Sequence, residues 1–380
     1  MKRIGYIISF TAVILLSGCT GSKNIQDLTY IVAIGMDYDD ETKEFTVYLQ
    51  ALDFANVAKQ EGPLPTEPIP IFIASAKGET LNLAVSKLYS KSEPPLFFGH
   101  VKTLLVSKSI MTHRSKEVMQ EIGKNRSLRH TLRVLTTEEK IEDVLKIKAL
   151  FNYPAIYTVL FKGSKEELTT DEIKPTSLMT FLRDYYEPME VAKLPNIKID
   201  KESWQSDKAY PIIYADGYAL FQKQKYIDKL SWSDALYVNW LLEKNSTLTR
   251  KITDKGKLIA VVEYSTPKRK IKYEEGTTFP QFTMEVSAQT DLVEKLDDVS
   301  INKLKQLIAK DIKNNITFIY ETGVDKKVDI LNIGEKWYRK HPQEYRELQK
   351  SGEFYLKKDT LKKVDVKIQV FHFNTYKYER

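Results

Sequence analysis

Cys19 is the only cysteine in 380 residues, and the residues before it decide what its thiol can undergo. Leu16, Ser17 and Gly18 lead into it, so a leucine and two small residues precede a cysteine. This is the pattern of a bacterial lipobox, in which a diacylglyceryl group goes onto the thiol and the chain is cut before it. The stretch upstream agrees. Lys2 and Arg3 give a positive start, and Ile4 to Leu16 is apolar and uncharged. A charged start, an apolar centre and a small-residue exit are the plan of an export signal. At roughly 13 residues the apolar run falls short of the ~20 that a bilayer-spanning helix needs. An uncleaved hydrophobic anchor or a buried thiol is the alternative reading. With Cys19 lipidated no disulfide can form, so an exported body must be held by packing alone.

The other reactive residue types are scattered. His100, His113, His130, His341 and His372 include no pair at metal-ligand spacing. With no cysteine or histidine cluster, a zinc site has nothing to build on. No glycine-rich phosphate loop and no G-x-S-x-G elbow occurs. The carboxylate pairs Asp39-Asp40 and Glu138-Glu139 sit in polar stretches, where a raised pKa would need burial. No catalytic, cofactor-binding or metal residue is therefore assigned, and the chain is not expected to be an enzyme. Two local signals remain. In Pro94-Pro95-Leu96-Phe97-Phe98-Gly99-His100, two prolines stiffen the chain, two aromatics can dock, and glycine permits an unusual backbone angle. Phe97, Phe98, Gly99 and His100 are candidate partner contacts or ligand-lining residues, or else a structural loop that plugs the core. In Asp329-Ile330-Leu331-Asn332-Ile333-Gly334, Asp329 is placed to cap a helix.

Composition fits a globular body, at 42% hydrophobic and 29% charged. No second run of 18 apolar residues follows the first. The net charge of +7 is concentrated: from Lys244 to Lys272 there are nine basic residues and two acids. Such a patch could face anionic lipid headgroups or an acidic partner, or it is a solvated strand edge where lysines block aggregation. Nothing in the chain reads as a nucleic-acid module.

The elements that would position these residues fall into blocks. Leu28–Asp37 reads as a buried strand and Phe45–Phe54 as its hairpin partner, across the polar turn Tyr38–Lys43. Asn56–Pro70, with four prolines, is expected to be an exposed loop. A strand over Ile69–Ala76, a helix capped by Thr80, a strand over Val101–Ser107, and helices at Met111–Ile122 and Glu138–Lys148 flanking a strand Thr131–Thr136 follow. This alternation predicts helices packed on a mixed sheet. After a helix near Ser177–Tyr186, the charged and aperiodic stretch Lys198–Ala209 marks the best domain boundary. Beyond it come a strand pair Ile212–Gln222 and Lys225–Lys229, then a helix over Ser231–Lys244 with Trp232 and Trp240 on a core stripe. Two strands, Leu258–Tyr264 and Arg269–Tyr273, are expected to be the arms of a basic hairpin. The last block pairs a strand Gln281–Leu292 with Val364–Phe373. A long amphipathic helix, Ser300–Tyr320, carries Ile301, Leu304, Ile308, Ile312, Ile316 and Ile319 on one face. The reading is α+β in three domains with mixed and antiparallel sheets and packed helices. It comprises a cleaved lipoprotein signal peptide 1–18, a tether 19–27, an N-terminal domain 28–200, a middle domain 210–274 and a C-terminal domain 275–380.

These stretches together resemble the Ger(x)C family, the C subunit of nutrient germinant receptors in spore-forming bacteria. The resemblance is carried, in order, by the lipobox at Cys19, IVAIGMD at Ile31–Asp37 and LFFGHVK at Leu96–Lys102. It continues through ADGYALFQKQKYID at Ala215–Asp228 and DILNIGEKWYRKHP at Asp329–Pro342. It implies three α+β domains and a lipoprotein on the outer surface of the spore inner membrane. It also implies assembly with two integral membrane subunits, the A and B types, and no enzymatic chemistry. A lipid-anchored solute-binding protein feeding a transporter is the competing reading, but no two-lobe repeat supports it. An exported enzyme with a dispersed site is a third.

Overall fold

The computed structural model describes residues 28–52, 70–162, 171–274 and 279–371. The signal stretch, Cys19, the tether and most of the loop expected over Asn56–Pro70 lie outside the described residues. Leu28–Asp37 and its partner fold as expected: β1 (Thr29–Asp39) pairs antiparallel with β2 (Glu44–Leu52), and β3 (Phe72–Gly78) pairs on β2. In β2 the period of two puts Phe45, Val47, Leu49 and Ala51 on one face and Tyr48 and Leu52 on the other.

Helix α1 (Leu81–Tyr89) begins where Thr80 accepts the amide of Leu83, the cap expected from sequence. After the short β4 (Leu96–Phe97), the chain runs through β5 (Thr103–Ser107), α2 (Lys108–His113), α3 (Ser115–Lys124), β6 (Arg133–Thr137) and α4 (Ile141–Lys146). Next come β7 (Thr176–Ser177), α5 (Leu178–Tyr186), β8 (Ala192–Asp200), β9 (Ile212–Gln222) and β10 (Lys225–Leu230). Strand order is β10-β9-β8-β6-β5-β1-β2-β3, with β4 paired to β1 and β7 to β6. The central strands β1, β5, β6 and β8 are parallel, and antiparallel strands extend the sheet at both edges. Strand β5 is buried on both faces along its whole length, with Leu104, Leu105 and Val106 between two buried hydroxyl residues. Helices α1, α2, α3 and α5 contribute to the core on one face and α4 to that on the other.

The second sheet is built on β14 (Gln281–Lys295), preceded by α6 (Trp232–Leu242), β11 (Leu248–Asp254), β12 (Lys257–Tyr264) and β13 (Lys268–Glu274). Helix α7 (Ile301–Asp325) follows, with Leu304, Ile308, Ile312, Ile316 and Ile319 all buried, so the expected apolar face is the packed one. Helices α8 (Glu335–Lys340) and α9 (Pro342–Lys350) lead to β15 (Leu361–Phe371), which lies parallel on β14 as the expected closing strand.

Strand pairing crosses the expected domain edges. β8 and β9 are hydrogen-bonded neighbours, so Lys198–Ala209 is the excursion of a hairpin within one sheet. The block expected at 210–274 is divided. Its first strands extend the first sheet, and β11, β12 and β13 belong to the second. The basic hairpin is also corrected. β12 and β13 do not pair with each other; both pair with β14, at Thr290–Lys295 and Gln281–Ser287. A strand of 15 residues has room for two partners end to end. One core runs through the second sheet, α6 and α7, and takes in Met189, Val191, Tyr218 and Leu220 from the first.

Candidate functional site

The aromatic turn grows out of β4. Thr29 donates its amide to Pro95 O (3.0 Å) and its hydroxyl to Pro94 O (2.9 Å), fixing the two prolines against the start of β1. Leu96 and Phe97 pair in parallel with Thr29 and Tyr30. The two phenylalanines part company there. Phe98 turns inward beside Leu88 and the core, with its ring 5.7 Å from Tyr89. Phe97 turns outward and is 38% exposed. Its ring meets Tyr30 edge-on at 5.6 Å, and His100 lies 5.6 Å from Phe97 and 5.2 Å from Tyr30. Gly99 makes this possible: a Cβ there would lie 2.5 Å from Cζ of Phe97. The turn thus sends one phenylalanine into the core and leaves the other on the surface.

Asp329 does not cap a helix. It is 1% exposed, and its carboxylate accepts the amides of Ile333 (3.0 Å) and Gly334 (2.8 Å) and the hydroxyl of Tyr355 (2.7 Å). Helix α8 starts only after that closed turn. Burial pushes the Asp329 carboxyl up, against those hydrogen bonds and the nearby Arg269. Arg269 donates to Leu331 O, and burial holds its own pKa down. Trp337 stacks on Tyr355 and His341, sealing the nest with aromatic rings. At its rim Asn332 reaches Glu190, which precedes β8 in the first sheet, and Glu335. Burial raises the Glu190 pKa, and Asp184 and Glu335 add to the shift. This nest is a structural junction, which sequence patterning around Asp329 could flag but not explain.

A cavity of about 330 Å³ opens against the first sheet. Ile197, Ile213 and Ala215 form its floor, and the ion pair Lys162–Glu172 (2.7 Å) and Trp232 stand on its walls. Trp232 was expected in the core with Trp240. It is 45% exposed, because the first residue of α6 projects beyond the packed body, whereas Trp240 is fully buried.

The basic segment does not form one patch. Arg250 turns in towards Asp311 and the ring of Tyr237, and Arg269 towards Leu331. Lys257 pairs with Asp297, and Lys272 with Glu285. Strand alternation turns Arg269 inward and leaves Lys268, Lys270 and Lys272 on the exposed face of β13, so part of the charge is taken up in internal and local pairs and the rest lies along one strand. Among the described residues no three His, Cys, Asp or Glu side chains could together hold a metal ion. Nor is any helix among them long and apolar enough to cross a membrane.

Comparison with known proteins follows this architecture. Residues 21–199 match the family described as Spore germination protein N-terminal domain. Residues 216–373 match the family described as Spore germination B3/GerAC like, C-terminal. The matches part within the β8–β9 hairpin. Spore germination protein GerQC of Bacillus cereus is 22% identical over 374 residues, covering 94% of this chain and 97% of that protein. Spore germination protein KC of Bacillus subtilis (strain 168) is 21% identical over 362 residues, covering 90% and 88%. The crystal structure of the GerBC protein superposes with a TM-score of 0.54 at 15% identity. It covers 92% of this chain and 100% of that one, a likeness of fold.

Proposed function

The chain belongs to the Ger(x)C family, the C subunit of spore germinant receptors, and from that premise we propose that it is a lipid-anchored, non-enzymatic component of such a receptor. The observation that carries this reading is the ordered pair of family matches over 21–199 and 216–373. The lipobox supplies the anchor. Two acyl chains on Cys19 hold a protein at a bilayer stably, where a single chain holds only marginally. The protein then sits on the outer face of the spore inner membrane, and its partners are the A-type and B-type integral membrane subunits. The turn Phe97–His100 leaves Phe97 exposed, open to the membrane or to the subunits within it. Co-purification from spore membranes tests the reading: recovery with polytopic germination subunits supports it, and recovery with a permease points to a solute-binding protein. Cys19→Ala is expected to leave the protein out of the membrane fraction and to slow germination. Normal membrane recovery of that variant contradicts the anchor.

A further inference from the structure

The lipid anchor limits where the body can be but does not say which way it faces. The first sheet has two unlike ends. The described chain enters at Thr29, and at this end β2 finishes, β3 begins and β4 lies, since Tyr30 pairs with both Leu52 and Phe97 and Ala51 pairs with Phe72. Phe72 (59% exposed), Tyr89 (53%) and Phe97 (38%) stand here. Tyr89 is placed by its contact with Phe98 and by the run of α1 back from Thr80. The same end is basic. Val32, Lys102 and Arg133 share one level of the parallel sheet, and the loop entering β6 carries Arg126 and Arg129, which are exposed like Lys102. The opposite end carries the turn Asp39-Asp40-Glu41 and Glu138 and Glu139 after β6, but Lys43 pairs with Asp40 and Lys108 with Glu138 there, so its charge is mixed.

We propose that the Thr29 end of the first sheet is a bilayer-docking face. Phe72, Tyr89 and Phe97 would sit at headgroup level, with Lys102, Arg126 and Arg129 against anionic lipid. The inference rests on the lipidation of Cys19. Tyr89, a ring with a polar tip, favours the membrane interface, and the Phe72 and Phe97 rings add apolar area to bury there. Cations near an anionic surface strengthen binding, each by about fivefold. Chain length gives the orientation. From Cys19 to Thr29 the extended chain reaches about 35 Å, roughly the length of the 11-residue β1 itself. The opposite end could meet the bilayer only with the tether drawn out along the whole sheet, and its mixed charge gives it no comparable attraction to anionic lipid. This face, which the short tether holds nearest the bilayer, is where lipid contact is expected.

With Cys19 lipidated, a cysteine introduced elsewhere is the only free thiol. The test uses the full lipidated chain in phosphatidylcholine vesicles with and without phosphatidylglycerol, carrying a polarity-sensitive dye at Phe97→Cys, Tyr89→Cys or Glu41→Cys. The proposal expects blue-shifted emission, quenched by brominated lipid, at positions 97 and 89 and not at 41. The shift should strengthen with phosphatidylglycerol and lose that dependence in Arg126→Gln/Arg129→Gln. If the protein fails to stay with vesicles, the anchor reading fails and the proposal with it. Anchored protein with positions 97 and 89 still in water overturns the docking face alone. So does a shift that appears only when the membrane subunits are added, which would make this a protein contact.

Discussion

The Tyr355 hydroxyl donates to Asp329 Oδ2 at 2.7 Å, joining two buried side chains that close the turn ahead of α8. Asp329→Ala would leave two amides and a phenol without their acceptor, and the partly buried Arg269 without a nearby opposite charge. Removing one member of a buried charged network costs about 3–5 kcal/mol. Tyr355→Phe deletes one donor and keeps the ring stack on Trp337, so about 1–2 kcal/mol is expected. Urea titration of the purified protein checks both. Equal losses for the two variants would mean that the carboxylate is not the hub.

Glu190 gives a pH prediction. Its pKa is raised, first by burial and then by Asp184 and Glu335, with Lys193 and Arg183 opposing. A raised carboxyl pKa means that the folded protein holds the proton more tightly than the unfolded chain. Stability is therefore lost as pH rises from the ordinary value near 4.5 through the raised folded value. Glu190→Gln removes this titration. The variant should melt higher than the parent at neutral pH, by under about 1 kcal/mol for a partly buried site. The gap should close below pH 4.5. A gap that widens on acidification would reverse the assignment.

Gly99 and Phe97 allow surface geometry to be separated from stability. An added Cβ at position 99 strikes the far edge of the Phe97 ring, which can swing out into solvent. Gly99→Ala should cost little in melting temperature, within the ~0.5 kcal/mol range of ordinary surface changes. It should still displace Phe97 from Tyr30 and His100. Spores carrying it should germinate slowly, as should those with Phe97→Ala. Normal germination in both would remove the turn from the contact surface.

Local patterning was legible wherever one face of an element packs. The stripe Leu304–Ile319, the Thr80 cap and the alternation of β2 each follow from residue spacing. What escaped was long-range pairing. Pro195 and the charged run after it look like a linker, yet Pro195 lies within β8 and pairs with Tyr218. Ser265, Thr266 and Pro267 look like a hairpin turn. They carry the chain from one half of β14 to the other, with Ser265 donating to Gln289 O. Neither partner is encoded nearby. For the site, sequence marked the Phe97–His100 turn but not which ring faces out, since that depends on the core beneath Phe98. The basic end of the first sheet was invisible because Lys102, Arg126 and Arg129 meet only through the parallel register of β5 and β6.

Trp240 tests whether the two sheets form one cooperative unit. It is fully buried, its indole donates to Ser265 O at 2.9 Å, and its ring packs on Tyr237 and Tyr264. Helix α6 is buried on nearly all sides and shares one core with residues of both sheets. Trp240→Ala should cost about 3–5 kcal/mol, the range for emptying a large aromatic site. Trp240→Phe should cost less, about 1–3 kcal/mol, mostly for the unpaired carbonyl. Because the core is continuous, the loss should appear in both sheets at once. Hydrogen exchange at β6 and at β14 should accelerate together in Trp240→Ala. Acceleration confined to β14 would show that the halves open independently, and that α6 only rests on the first sheet.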